Sequence, residues 1–330
     1  STTSNVGTYD DEIAISGPVT GTPGTGDGFL ESNYDITYVA GDLVVNKRAI
    51  TVAAVQQEKI YGNTLTLDPT AFTVTDLDGD ALLPNSESID TVNVISRGGH
   101  DASTTSSALT YGDDLEITSV ANSSNGFDLG NYSIDFSNLA DFVINRRAVT
   151  LTALQQEKDY GDIHTLDTTV FSVTDLDNDS LLPNGELIDT VTIVSANGID
   201  ASTDADVATY GDNLSITPTT TGTPTLAGSN GFDQENYLFS YETGDFIINR
   251  RAITLTAGQQ DKIYGNILGL DDTAFTTLDK DGDAALPNGE IVTNVTINSV
   301  TGVDASTTTN VGTYDDEIAI SGPVAGTPGT

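Results

Sequence analysis

The amino-acid sequence predicts an all-β protein, a tandem array of small β-sandwich or curved mixed-sheet domains forming an extended rod. Three observations predict it. Short runs alternate apolar and threonine side chains with a period of two, as half-buried strands do. Clusters of Gly, Asn, Asp and Pro separate these runs at short intervals. The whole pattern then returns after 99 and again after 104 residues, measured between Arg48, Arg147 and Arg251. No stretch sustains a 3.6-residue periodicity.

Taken in order, residues 1–48 read as the C-terminal part of a truncated repeat. Their ending, Asn33-Tyr-Asp-Ile-Thr-Tyr followed by Gly41-Asp-Leu-Val-Val-Asn-Lys-Arg48, returns as Asn131-Tyr-Ser-Ile-Asp-Phe with Asp141-Phe-Val-Ile-Asn-Arg-Arg147. It returns once more as Asn236-Tyr-Leu-Phe-Ser-Tyr with Gly244-Asp-Phe-Ile-Ile-Asn-Arg-Arg251. Residues 49–147 and 148–251 are therefore complete repeats, and 252–330 is the N-terminal part of another. Ser306–Thr330 repeats Ser1–Thr25 with two substitutions, so the intact protein is expected to continue in both directions. The incomplete ends are complementary halves, which either associate head to tail between molecules or stay disordered.

Within a repeat, Arg147-Ala-Val-Thr-Leu-Thr-Ala153 is the clearest strand. Others are expected at 170–174, 186–195, 213–217, 236–241 and 245–249, with turns at Tyr160-Gly-Asp162, Asn197-Gly198 and Tyr210-Gly-Asp212. Asp68-Pro-Thr-Ala-Phe72 suggests one helical turn, with Asp as cap and Pro at the first position. A period this long exceeds the roughly 20–50 residues of solenoid repeats, so each repeat can bury its own core. With almost no linker between the last strand of one repeat and the first of the next, the joints should be stiff. Three bodies, each on the order of 35–45 Å across, would span more than about 100 Å.

Composition narrows the function. The net charge is −38, from 49 acidic residues against 11 Lys plus Arg, which argues against nucleic acid and anionic membrane surfaces as partners. Cations are the natural small partners. Cysteine is absent, so disulfides, thiolate metal sites and cysteine nucleophiles are excluded. There is no apolar run approaching the roughly 18 residues of a membrane span. His100 and His164 fall at different points of their repeats, and no histidine occurs in the third. No general base therefore recurs, and the chain reads as non-enzymatic.

The strand Arg-Ala-Ile/Val-Thr, the turn Lys-x-Tyr-Gly-Asn/Asp and the closing Asn-Tyr…Gly-Asp-x-Val/Ile-Ile-Asn-Arg resemble the MBG-type (YGX-like) tandem repeats of large bacterial surface adhesins. Here the first two pieces are Arg48–Ala54 with Lys59–Asn63, Arg147–Ala153 with Lys158–Asp162, and Arg251–Ala257 with Lys262–Asn266. The resemblance spans essentially the whole chain. It implies extracellular extender repeats that hold a terminal adhesive module away from the cell, in cell adhesion or biofilm formation, with adjacent repeats as the main partners. It implies no catalytic residue. A repeated carbohydrate- or protein-binding module is the alternative, with Tyr132, Tyr160, Tyr237 and Tyr264 as a stacking surface, and a surface-layer or filament protein is another.

One motif lies outside that pattern. Asp76, Asp78, Asp80 and Glu87 occupy positions one, three, five and twelve of a loop. Asp175, Asp177, Asp179 and Glu186 repeat the spacing, as do Asp279, Asp281, Asp283 and Glu290. Carboxylates so crowded repel unless a cation or a set of N–H donors compensates them. The spacing matches the oxygen frame of a helix-loop-helix calcium site, and the all-oxygen donor set favours calcium over zinc. Its flanks read as strands, however, and its sixth position is Ala81, Ser180 or Ala284 in place of the glycine of that frame. A calcium loop of its own geometry that rigidifies each repeat is the expectation, and a solvated turn whose Asp and Asn cap backbone groups is the rival. Asp101, Asp200 and Asp304 recur nearby, as further ligands or as turn caps. Nine of the eleven bases also recur, and they are expected to pair with particular carboxylates and fix the strand or joint geometry.

Overall fold

A computed structural model describes residues 4–16, 33–217 and 227–328. Parts of the truncated repeat 1–48 and of the repeat 148–251 thus lie outside the described residues. The chain is all-β. Among the described residues its helical elements are single 3-10 turns of three residues, and no helix is long and apolar enough to cross a membrane. It divides into two units, Ser1–Arg147 with Glu235–Tyr237, and Ala148–Gln234 with Leu238–Thr330.

The first unit contains β1 (Gly7–Ile13), β2 (Gly41–Val45), β3 (Arg48–Ala54), β4 (Gln57–Ile60), β5 (Phe72–Asp76), β6 (Ser88–Ser96), β7 (Thr110–Ser124), β8 (Tyr132–Asp135) and β9 (Ala140–Asn145). They form two mixed sheets, ordered β5-β3-β8 and β4-β9-β7-β6, beside the antiparallel pair β1-β2. In each mixed sheet one pair is parallel, β3 with β8 and β4 with β9, and the rest are antiparallel. The alternation in β3 turns Ile50 and Val52 inward. There they meet Ile89 and Val92 of β6, Ile117 of β7 and Tyr132 of β8 in one core. Leu83, from the acidic loop, joins the same core.

The second unit repeats the plan. Its strands are β10 (Arg147–Ala153), β11 (Gln156–Asp159), β12 (Phe171–Asp175), β13 (Leu187–Thr190), β14 (Ile193–Ser195), β15 (Thr209–Ile216), β16 (Ala227–Ser229), β17 (Tyr237–Glu242) and β18 (Gly244–Asn249). The sheets β12-β10-β17 and β11-β18-β15-β14 match those of the first unit, and β13 pairs with β16. β19 (Ile253–Ala257), β20 (Phe275–Asp279), β21 (Ile291–Ser299) and β22 (Ile318–Thr327) follow as two antiparallel pairs. Phe142 on β9 and Phe246 on β18, each the centre of a four-stranded sheet, are wholly buried.

The helical turn expected at Asp68–Phe72 is a tight turn instead. The Asp68 carboxylate accepts from the Thr70 amide at 2.8 Å and hydroxyl at 2.7 Å, and Phe72 already opens β5. Asp caps a turn here because strand pairing claims the next residue.

Candidate functional site

Antiparallel register assembles the acidic loop. Ile50 lies opposite Asp76 and Ile253 opposite Asp279, so the preceding arginines, Arg48 and Arg251, face the start of the loop. Arg48 Nε donates to Asp76 Oδ2 at 3.1 Å, and its Nη2 bonds both Asp76 and Asp78. Arg251 does the same with Asp279 and Asp281, its Nη2 lying 2.6 Å from Asp279 Oδ2. A forked guanidinium suits two neighbouring carboxylates as a point charge does not. The guanidinium holds the buried Asp76 and Asp279 carboxyls below the usual carboxylate range, and loop amides add to the effect.

The remaining oxygens go to the loop's own backbone. Asp76 Oδ1 accepts from the Asp78 amide at 2.7 Å, and Asp80 Oδ1 from the Leu82 amide at 2.9 Å. In the middle loop, Asp175 accepts from the Asp177 amide at 2.7 Å and Asp179 from the Leu181 amide at 2.8 Å. The sharp turn falls at the fourth position, where Gly79, Asn178 and Gly282 take positive φ of 86°, 62° and 85°. This accounts for the missing glycine at the sixth: the loop bends two residues earlier than a helix-loop-helix calcium loop.

The twelfth-position glutamates turn away from this cluster. Glu87 Oε2 accepts from the Tyr132 hydroxyl at 2.6 Å, and Glu290 Oε1 from the Tyr160 hydroxyl at 2.8 Å, while Glu186 is buried. Burial, with Glu87 in support, pushes the Tyr132 hydroxyl well above its ordinary range. Among the described residues no three His, Asp or Glu groups gather into a metal-binding set. In the first and third loops the structure therefore brings the first and third positions together around arginine, with Glu87 and Glu290 at the twelfth position bonded to tyrosine hydroxyls.

In the second unit the same arginine also reaches back. Arg251 Nη1 bonds Asp162 Oδ1 at 2.5 Å, in the Tyr160-Gly-Asp turn of the preceding repeat. Lys280, at the loop's second position, donates to Asp159 at 2.6 Å and Asp162 at 2.8 Å. These cations draw the Asp162 carboxyl down, Lys280 most strongly. Asn288 Nδ2 donates to the Thr203 carbonyl at 2.7 Å, and Pro287 sits over Gly161, where a Cβ would lie 2.3 Å from the proline ring. In the first unit Arg147 Nη1 donates to Asn63 Oδ1 at 3.1 Å, the equivalent turn position. Sequence reading missed Lys280, because leucine stands at that position in the other two loops. The shared period was the available signal for the turn residues.

The recurring lysines depart from expectation. They were expected to meet carboxylates and instead fill nests of carbonyls. Lys158 Nζ donates to the carbonyls of Ile199 at 2.6 Å, Asp200 at 3.0 Å and Ser202. Lys59 serves His100, Asp101 and Ser103, and Lys262 serves Val303 and Ser306. Asp101, Asp200 and Asp304 enter through their main chains, accepting from the amides of Leu65, His164 and Leu268. Burial pushes the Lys59 and Lys158 ammonium groups down. Each tops a buried ring, Phe142 at 5.8 Å or Phe246 at 5.9 Å.

Tyr132 and Tyr237 are buried in the fold, and Tyr264 is exposed. His100 stacks on Tyr111 with ring centroids 3.6 Å apart, whereas His164 bonds Gln156 at 3.1 Å. The two histidines thus serve different local contacts. No family model, curated protein or solved structure matches the chain.

Proposed function

We propose that the chain is a run of non-catalytic extender repeats of a large bacterial surface adhesin, as its resemblance to MBG-type repeats implies. The repeats lie outside the cell and project an adhesive module, and their joints are stiffened by arginine. One observation carries this reading: Arg251 joins Asp162 of one repeat to Asp279 and Asp281 of the next, with three residues between β18 and β19. A joint so short, with a forked cation across it, resists bending. The commitment of Tyr132, Tyr160 and Tyr237 to internal contacts favours this reading over a recurring sugar-stacking surface.

Small-angle scattering on the wild-type chain and on Arg251→Ala/Lys280→Ala tests it. The expected profile is that of an extended rod, with the variant showing a broader distribution of dimensions. A compact wild-type particle, or superimposable profiles, would overturn the reading.

Calcium is the external alternative for the same loops, favoured by the thrice-repeated alternating aspartates. Its entry at Asp76 and Asp78 has to displace the Arg48 guanidinium. Extracellular modules bind at roughly 10⁻⁴–10⁻³ M, so titration calorimetry in that range decides. Binding heat at one site per loop assigns the loops to calcium, and its absence leaves them to arginine.

A further inference from the structure

Of the prolines in the chain, only Pro69 follows an aspartate. It lies in the tight turn before β5, where Asp68-Pro-Thr70 stands in place of Asp167-Thr-Thr169 and Asp271-Asp-Thr273 of the later repeats. The Asp68 carboxylate reaches forward across its own peptide bond, Oδ1 accepting from the Thr70 amide at 2.8 Å and the Thr70 hydroxyl at 2.7 Å. These donors, the hydroxyl most strongly, hold the carboxyl below the usual carboxylate range, so it stays ionised into mild acid. The Asp68 carbonyl oxygen accepts from Gln57 Nε2 at 3.3 Å and from the Ala71 amide at 3.2 Å. Gln57 is fixed in turn, because its Oε1 accepts from the Asp68 amide at 2.8 Å. Asp68 and Pro69 are both exposed, so water and acid reach the bond.

We propose that the Asp68–Pro69 peptide bond is a self-cleavage site, cut in mild acid by the carboxylate of Asp68 itself. A carboxylate oxygen attacks the main-chain carbonyl carbon of the same residue, which closes a cyclic tetrahedral intermediate and places negative charge on the carbonyl oxygen. Gln57 Nε2 and the Ala71 amide already face that oxygen, as donors to a developing oxyanion should. The proline nitrogen takes a proton from solvent, the C–N bond breaks, and Pro69 leaves as a secondary amine, with Asp68 left as a cyclic anhydride. Water opens the anhydride and makes Asp68 the new C-terminus. Nucleophile and carbonyl belong to one residue, the setting in which effective concentration is highest. Proline suits the leaving side because its amide is tertiary, and the added alkyl group lets the nitrogen take a proton more readily than the amides of Thr168 and Asp272. The later repeats present the same carbonyl donor, Gln156 Nε2 or Gln260 Nε2 at 3.1 Å, without the proline. The cut falls between β4 and β5, so the pairs β3-β5, β3-β8 and β4-β9 keep the two fragments together. The proposal rests on this turn alone and is independent of the extender reading.

Mass spectrometry under denaturing conditions reads the cut, after the 330-residue chain has been held at about pH 4, near the ordinary Asp value. The expected result is fragments 1–68 and 69–330. They should form faster in the folded chain than in the same chain unfolded by urea at that pH, because only the fold holds Gln57 against the carbonyl. Gln57→Ala should slow the folded chain about tenfold, as the loss of one oxyanion donor at an exposed site. Pro69→Thr, which copies the second repeat, should stop the cut, and circular dichroism checks that each variant is folded. A chain that stays intact, or that is cut no faster folded than in urea, would overturn the proposal. So would a wild-type rate of cutting in folded Pro69→Thr or Gln57→Ala.

Discussion

Arg48 and Arg251 do at the residue scale what an external cation would otherwise do, neutralising carboxylates that strand register forces together. The sign of the pH effect follows. A carboxyl whose pKa is lowered in the fold adds stability above its unfolded value, about 3.9 for Asp, and that stability is lost as pH falls through the folded value. Carbon-detected NMR titration should therefore find Asp76, Asp162 and Asp279 still ionised at pH values where exposed aspartates are half protonated. Glu317 extends the set. Its carboxylate accepts from the Ser299 and Thr301 hydroxyls and is drawn down to about 2, so its contribution is lost between its ordinary 4.5 and that value. Tyr132→Phe removes the hydroxyl donated to Glu87 and should cost about 2 kcal/mol, the scale of a hydrogen bond to a charged group, read by urea unfolding.

At the scale of elements, the lysine nests and the tight turns hold the sheets in register. Lys158→Met keeps much of the stem but leaves the carbonyls of Ile199, Asp200 and Ser202 without their ammonium. Asp200 keeps the His164 amide, whereas Ile199 and Ser202 lose their ammonium, and each unsatisfied acceptor costs about 1–3 kcal/mol, so hydrogen exchange should accelerate first in the 199–203 segment and β11. Gly161→Ala strains a residue at φ +86° and drives a methyl into Pro287, so the contact with the next repeat should loosen even where the turn survives. Strands and their boundaries near Arg147–Ala153 were legible because period-two alternation is a local signal. The parallel pairs β4-β9 and β11-β18 were not, since partners some ninety residues apart leave no mark in a short window. Recurrence at fixed spacing made the acidic loop visible, yet its partner could be inferred only as a class. The approach of Arg48 and Arg251 to the loop depends on register across β3-β5 and β19-β20, which no short window shows. The lysines misled for a related reason: carbonyls become a binding group only after a loop has closed.

For the whole molecule, the charge of −38 sets a background of self-repulsion that the few bases cannot neutralise. Arg48, Arg251 and the recurring Lys59, Lys158 and Lys262 sit where carboxylates or carbonyls converge, which leaves most acid groups to solvent and salt. Unpaired surface charges are screened over about 8 Å at physiological ionic strength, whereas buried pairs are screened much less. Thermal unfolding of wild type and Arg251→Gln, each in millimolar calcium and in chelator at matched ionic strength, separates an internal cation from an external one. An arginine-held loop predicts one melting temperature for wild type in both media and a lower one for Arg251→Gln in chelator. A wild-type melting temperature that climbs by several degrees in calcium, with Arg251→Gln unfolding no earlier than wild type in chelator, would contradict it.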